Sequence, residues 1–389
     1  MRVLPVFLIL VLTTIASAQE TAVHTDAFQS YKKGLDFYNK GLFGLAQEQF
    51  RTAADYGRLI HEPEFEWIRD KSELYVAQCA VRLDAPDGQM LVERFAADHK
   101  PAPISQQALL EMGNYFYNQR EYEEAIDMFA SIDQRALTSA ESNEVTFKLG
   151  YCQFVSRNFP AARTQFSRIK DFEDEFYYPS NYYYGLTAFF EGDYDEAIFH
   201  FHRVSSSQKY EDHIPYYITQ IYFAKGEYDN VIDYALPKVD SRGLKNGTQM
   251  KLLIAQAYYE KGEFENALPF FMEFGNDSRQ LRPEDYYQIG FVNYKAGNFE
   301  EAVRFLSELN REETKLGQHA MYFLADSYLQ LQDRTSARNA FSAAAGLDFD
   351  PEIKEEARFN YAKLSYELGY SRDAIDAFLS FGRSSRHYE

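Results

Sequence analysis

Two cysteines, a histidine pair and a few acid-rich turns are the side chains best equipped for chemistry, and their spacing limits what each can do. His200-Phe201-His202 looks like a metal-ligand pair, but on a helix residues two apart point about 200° away from each other, so they cannot grip one ion. Glu196 and His200 stand four apart and can touch across one helical turn. That pairing reads as a helix-stabilising contact rather than a catalytic dyad. Asp348-Phe349-Asp350-Pro351 lacks the remaining ligands of a calcium loop and reads as a turn ahead of a helix. No phosphate loop, nucleotide-binding glycine fingerprint, zinc-protease helix or calcium loop occurs in the sequence. No catalytic, metal or cofactor residue is therefore assigned, and the expectation is a protein without enzymatic activity. Asn246-Gly247-Thr248 and Asn276-Asp277-Ser278 fit glycosylation sequons and are expected in turns.

The elements that carry these residues repeat. Gly41-x-Phe43-x-x-Ala46-x-x-x-Phe50 recurs as Gly192/Tyr194/Ala197/Phe201 and Gly262/Phe264/Ala267/Phe271, with weaker copies between and after them. From Ala125 the Ala-equivalent positions are 125, 162, 197, 231, 267, 302, 337 and 374, spaced 34 to 37 apart. A fixed period of this size means stacked structural repeats. Twelve residues before each Ala stands a second small residue, Gly34, Gly113, Gly150, Gly185, Thr219, Ala255, Gly290, Ala325 or Ala362. Bulky side chains stand fifteen and eight before it, as in Tyr31 and Tyr38 or Tyr287 and Tyr294. Positions seven apart share one helical stripe, so each unit opens with a helix bearing an aromatic face. A Gly or a polar substitute ends that helix, and a second helix follows with the Ala and the later aromatic on one face.

A small residue, an aromatic four later, an Ala twelve later and an aromatic sixteen later, as in Gly34, Tyr38, Ala46 and Phe50, resembles the tetratricopeptide repeat. The match covers nine units well. A tenth, over 62–99, is divergent, with Leu91 and Phe95 in the Ala and Phe places. The family's early Trp and late Pro are missing; Pro179, Pro215, Pro283 and Pro351 instead stand near the start of the next unit, where Pro suits a first helical turn. The resemblance implies an all-α, right-handed superhelical solenoid of about ten helix-turn-helix units. It also implies that first helices line a concave groove for an extended peptide or a partner's helix.

Ends and composition bound the rest. Arg2, the apolar run Val3–Leu12 and Ala16-Ser17-Ala18 read as a signal peptide over 1–18, too short for a comfortable membrane span. A short segment, 19–25, then leads into a solenoid over 26–389, with no further apolar run of spanning length. The net charge of −19 argues against nucleic acid, which demands clustered Lys and Arg. Apolar residues at 46% exclude disorder. Cys79 and Cys152 are the only cysteines. They fall on first helices of units two and four, so helix spacing of about 8–10 Å keeps them beyond the ~7 Å Cα limit for a disulfide, and two free buried thiols are expected.

On the implied groove, the candidate protein-binding residues are Tyr182, Tyr216, Gln220, Phe223, Gln256, Tyr259, Tyr287, Tyr294 and Tyr322. A polar row, Asn114, Gln220, Gln256, Asp326 and Lys363, is expected to pair with a ligand's backbone between aromatic walls. In the Tyr-rich stretch Asp171–Tyr184, Tyr182, Tyr183 and Tyr184 suit packed positions. Tyr177 and Tyr178, placed in a linker before Pro179, form a candidate exposed patch. The favoured function is a non-enzymatic scaffold in the bacterial periplasm or at the outer membrane, with protein, peptide or envelope-complex partners. Alternatives are the recognition domain of a longer receptor and the helical part of a peptidoglycan lytic enzyme. After Ala374, Ile375, Phe378, Leu379 and Phe381 no capping helix follows, so an exposed apolar end and a longer natural chain are expected.

Overall fold

The computed structural model describes residues 23–100, 103–277 and 281–381; residues 1–18, expected to be a signal peptide, Ser278 and the last residues, 382–389, lie outside them. Among the described residues there are twenty α-helices and no strand. The chain divides into two compact units, Met1–Val204 and Ser205–Glu389. The first holds α1 (23–39) and α2 (Phe43–Gly57), α3 (Glu66–Arg82) and α4 (Gly88–Asp98), α5 (Pro103–Gln119) and α6 (Tyr122–Ala130), α7 (Ser139–Val155) and α8 (Phe159–Ile169), and α9 (Tyr177–Glu191) and α10 (Tyr194–Val204). The second holds α11 (Ile214–Ala224) and α12 (Tyr228–Ala235), α13 (Gly247–Glu260) and α14 (Phe264–Asp277), α15 (Pro283–Lys295) and α16 (Phe299–Leu306), α17 (Lys315–Gln330) and α18 (Arg334–Gly346), and α19 (Pro351–Glu367) and α20 (Ser371–Leu379). Each is an all-α solenoid: consecutive helices pack on each other, and first helices touch the next first helix, as in α5 with α7 and α15 with α17.

Every pair turns in the same way. Each of the ten pairs has one left-handed turn residue, five before the Ala position in nine of them, as Gly41, Gly192, Gly226, Gly262, Gly297 and Gly369 with Arg120, Arg157 and Gln332; in the divergent pair it is Asp84, seven before Leu91. The next N–H reaches back five residues, as from Leu42 N to Phe37 O (2.9 Å) and Asn158 N to Gln153 O (2.8 Å). That closes each first helix with a Schellman motif.

The small residue twelve before the Ala position exists to admit a large one. A Cβ on Gly113 would lie 2.6 Å from Phe129 Cε1, and one on Gly34 would lie 2.8 Å from Phe50. Phe50, Phe129, Phe166, Phe201, Phe271 and Phe341 are wholly buried there. Where the small residue grows to Thr219, the facing position shrinks to Ala235, and both are fully buried. The Ala positions themselves are buried from Ala46 to Ala374.

Three expectations need correction. In the divergent pair Leu91 does not fill the Ala place: it is half-buried, and Val92 is fully buried beside Phe95. The reason is that α4 starts four residues after the left-handed Asp84, whereas α2 starts two after Gly41, so the second helix is rotated relative to the regular register. Asn276 sits in the last turn of α14 instead of a connecting turn, because the helix runs on to Asp277. Tyr177 and Tyr178 are not in a linker; they open α9, with Pro179 as its third residue, where a missing N–H costs nothing. On α20, Ile375, Phe378 and Leu379 are exposed and Ala374 is buried.

Candidate functional site

In the second unit the candidate residues fall on successive first helices: Tyr216, Gln220 and Phe223 on α11, Gln256 and Tyr259 on α13, Tyr287 and Tyr294 on α15, and Tyr322 on α17. All eight are half-buried. Their buried halves pack on aromatic neighbours. Tyr259 meets Phe264 edge-on at 5.7 Å, Tyr287 stacks on Phe291 at 5.8 Å, and Tyr322 meets Phe341 at 5.6 Å. Burial raises the phenol pKa of Tyr216, Tyr259 and Tyr287 above the ordinary value. For Tyr294 burial acts first, and the hydrogen bond to the Asp326 carboxylate adds to it. These phenols therefore stay protonated at any physiological pH and act as neutral hydrogen-bonding groups.

The polar row is used within the protein. Measured from the left-handed turn residue, the side chain six before it in one pair meets the side chain nine before it in the next. Gln78 Nε2 donates to Glu111 Oε2 (2.6 Å), Lys148 Nζ donates to Asn114 Oδ1 (2.7 Å), and Gln256 Nε2 donates to Gln288 Oε1 (3.0 Å). Two junctions replace the polar pair by rings, Tyr151 with Tyr183 at 5.2 Å and Phe291 with Phe323 at 4.8 Å. Asp326 accepts from Tyr294 OH (2.6 Å), and Gln220 Nε2 donates to Tyr216 OH (2.9 Å). Asn114, Gln256 and Asp326, expected to face a ligand's backbone, thus tie neighbouring repeats together, while Gln220 bonds within its own helix, and what remains for a partner is the outer part of the aromatic row. Tyr151, Phe291 and Phe323 are not singled out by the sequence analysis, and Tyr183 is, as a packed residue. For Phe291 the signal was available, since it stands four after Tyr287.

In the first unit two of three candidates are withdrawn. Tyr182 is only 8% exposed, packed on Tyr183 and Phe201, so it belongs to the core and not to a groove. Tyr177 is half-buried and held by Arg203, whose Nε donates to its hydroxyl (3.2 Å) while the guanidinium lies 5.1 Å from its ring. Only Tyr178 keeps an exposed ring.

The Glu196–His200 contact is real, and it sits inside a buried polar cluster. Asn181 Nδ2 donates to Lys170 O (2.6 Å) and Tyr177 O (2.8 Å), which turns its Oδ1 toward His200 Nδ1 at 2.7 Å. Nδ1 must therefore carry the proton, which leaves Nε2 of the neutral ring as an acceptor 3.3 Å from Glu196 Oε1, a close approach without a hydrogen bond. His200 is wholly buried, and burial, helped by the positive charge of Lys170, pushes its pKa down to about 4. The ring is neutral at pH 7 and touches no solvent, so the cluster fixes α10 to α9 and offers no reactive group. His202, two residues on, is exposed. Among the described residues no group of three or more His, Cys, Asp or Glu could hold a metal ion. Cys79 and Cys152 are buried and unpaired.

Residues 110–175 match the Tetratricopeptide repeat family, and residues 318–351 match it again. In these two stretches the chain carries tetratricopeptide repeats. One matched stretch lies in each compact unit. Among solved structures, this chain is similar to a tetratricopeptide repeat protein from Parabacteroides merdae, at 13% identity over 69% of this chain and 99% of that one, with a TM-score of 0.37. It is similar also to the C-terminal part of a TPR repeat-containing protein from Cytophaga hutchinsonii, at 15% identity over 69% and 98%, with a TM-score of 0.41. Among curated proteins no relative matches.

Proposed function

We propose that this TPR protein is a non-enzymatic scaffold of the bacterial cell envelope, exported to the periplasm or held at the outer membrane, that binds protein or peptide partners along its first helices. The observation that carries the binding reading is the half-exposed aromatic row on α11, α13, α15 and α17. Such rings offer large contact area while losing little side-chain freedom, because their inner halves are already fixed by Phe291, Phe264 and Phe341. Export rests on Arg2, Val3–Leu12 and Ala16-Ser17-Ala18, with cleavage before Gln19. Among the described residues no helix is long and apolar enough to cross a membrane. The net charge of −19 disfavours a nucleic-acid partner.

A photo-crosslinking amino acid placed at Tyr216 or Tyr287, and for comparison at the exposed Glu265 on α14, tests the face in the native host. Discrete protein adducts from the first-helix positions and none from Glu265 are expected. Equal patterns from both faces, or none from either, would overturn the assignment. Recovery of the chain from the cytoplasm with Met1 intact would remove the envelope half of the proposal.

A further inference from the structure

A different edge of the first unit bears a second set of features that the packing does not use. Where six helix pairs place Gly in the left-handed turn position, two consecutive pairs place arginine, Arg120 (φ 67°) and Arg157 (φ 60°). A long side chain is disfavoured there, and unlike Asp or Asn an arginine gains no local hydrogen bond in return. Both residues are exposed, and neither guanidinium has an ion-pair or hydrogen-bond partner; Glu121, next in sequence, does not bond Arg120. Glycine in the neighbouring turn, Gly192, shows that the motif closes without them. Strain retained without local compensation points to a role outside the fold.

The position two before the turn residue sharpens this. It is polar in most pairs, as Asn39, Asn118, Glu260, Lys295, Gln330 and Glu367. In the pair of Arg157 it is Val155, 41% exposed, and in the pair that follows it is Phe190, 52% exposed. Phe190 stacks flat on Phe159 from the preceding pair at 4.9 Å and 12°, which leaves its other face open. The acids beside it, Glu191 and Asp193, are both held by Arg163 at 3.0 and 2.6 Å. Along one edge, consecutive turns therefore present two free positive charges and then an aromatic shelf.

We infer that this edge docks an acidic, extended protein segment, its carboxylates taken by Arg120 and Arg157 and a bulky apolar side chain laid on Phe190 and Val155. Neighbouring first helices lie about 8–10 Å apart, which is roughly three residues of extended chain at ~3.3 Å each. The segment should thus carry acids about three residues apart and an apolar residue about three further on. Arginine's planar fork suits paired carboxylates, and the stacked rings favour a peptide over a plain polyanion.

The test uses the full exported chain and a fluorescein-labelled peptide with two glutamates three residues apart and a phenylalanine three beyond, read by fluorescence polarisation at low ionic strength. Saturable binding is expected, weakened at least about tenfold by Arg120→Gly with Arg157→Gly, and also by Phe190→Ser. Because glycine relieves the turn strain, the double variant should melt no lower than the wild type, so its loss of binding cannot be a loss of fold. Replacing the peptide's glutamates by glutamine should abolish binding, and Tyr216→Ala with Tyr259→Ala should leave it unchanged, which separates this edge from the first-helix face. No binding, equal binding by the double variant, or preference for an acidic polysaccharide such as polygalacturonate would overturn the inference.

Discussion

Replacing Gly113 by Ala should destabilise the first unit, although the same change in an open helix stabilises. The added Cβ would stand 2.6 Å from Phe129 Cε1 and 2.7 Å from Cδ1. An ordinary carbon–carbon contact needs about 3.5–4.0 Å, so ring and methyl must part by roughly 1 Å, and Phe129 at 1% exposure has no free space to move into. Overpacking of this kind costs about 1–3 kcal/mol, against a helix-propensity gain of about 1 kcal/mol for Ala over Gly. The net loss should be about 1 kcal/mol. In a Phe129→Ala background, itself destabilised by about 3–5 kcal/mol, the obstruction is gone and Gly113→Ala should become stabilising by about 1 kcal/mol. A coupling of about 2 kcal/mol is therefore expected. Urea unfolding followed by circular dichroism, with slopes compared to confirm a common unfolding transition, measures it. Gly44→Ala, where a Cβ meets nothing within 4 Å, supplies the control and should stabilise. If Gly113→Ala has the same sign and size in both backgrounds, the small residue is not there to admit the ring.

Both thiols should resist a thiol reagent at pH 8 in the folded protein and react fully once it is denatured, giving two labelled cysteines per chain. Burial pushes Cys79 up to about 11 and Cys152 up to about 12, so neither ionises under those conditions; rapid labelling of the native chain would contradict the packing. His200 should make the fold acid-sensitive. Below its ordinary pKa near 6.5 the unfolded chain takes up a proton that the folded one refuses until about pH 4. Stability is therefore lost as pH falls through that window, by as much as roughly 3 kcal/mol. Melting curves of wild type and His200→Gln between pH 7 and 4 should converge as the pH drops, and parallel pH profiles would refute the buried neutral ring.

Much of this protein was legible in its sequence because a repeat writes the same packing problem many times. The 34 to 37-residue spacing of Ala positions fixed the pairing of helices, and the small residue twelve before each Ala marked where two helices approach closely. Local chemistry also showed through: Asp350 caps α19, its carboxylate accepting from the Glu352 and Ile353 N–H groups, as the Asp-Phe-Asp-Pro turn implied. What the sequence could not assign is the fate of side chains at one register position. Tyr182 and Tyr287 both stand fifteen before an Ala, yet one is buried and the other half-exposed. Tyr182 packs on Phe201 of the following helix, whereas Tyr287 stacks on Phe291 of its own helix, one turn on. Likewise, only the tertiary structure showed that Asn114, Gln256 and Asp326 are taken by Lys148, Gln288 and Tyr294 of adjacent helices. Periodicity reports which stripe of a helix a residue occupies. Whether that stripe meets water or another side chain depends on contacts with other helices, 19 residues away for Tyr182 and Phe201 and more than 30 for Asn114 and Lys148, for which a single helix carries no pattern.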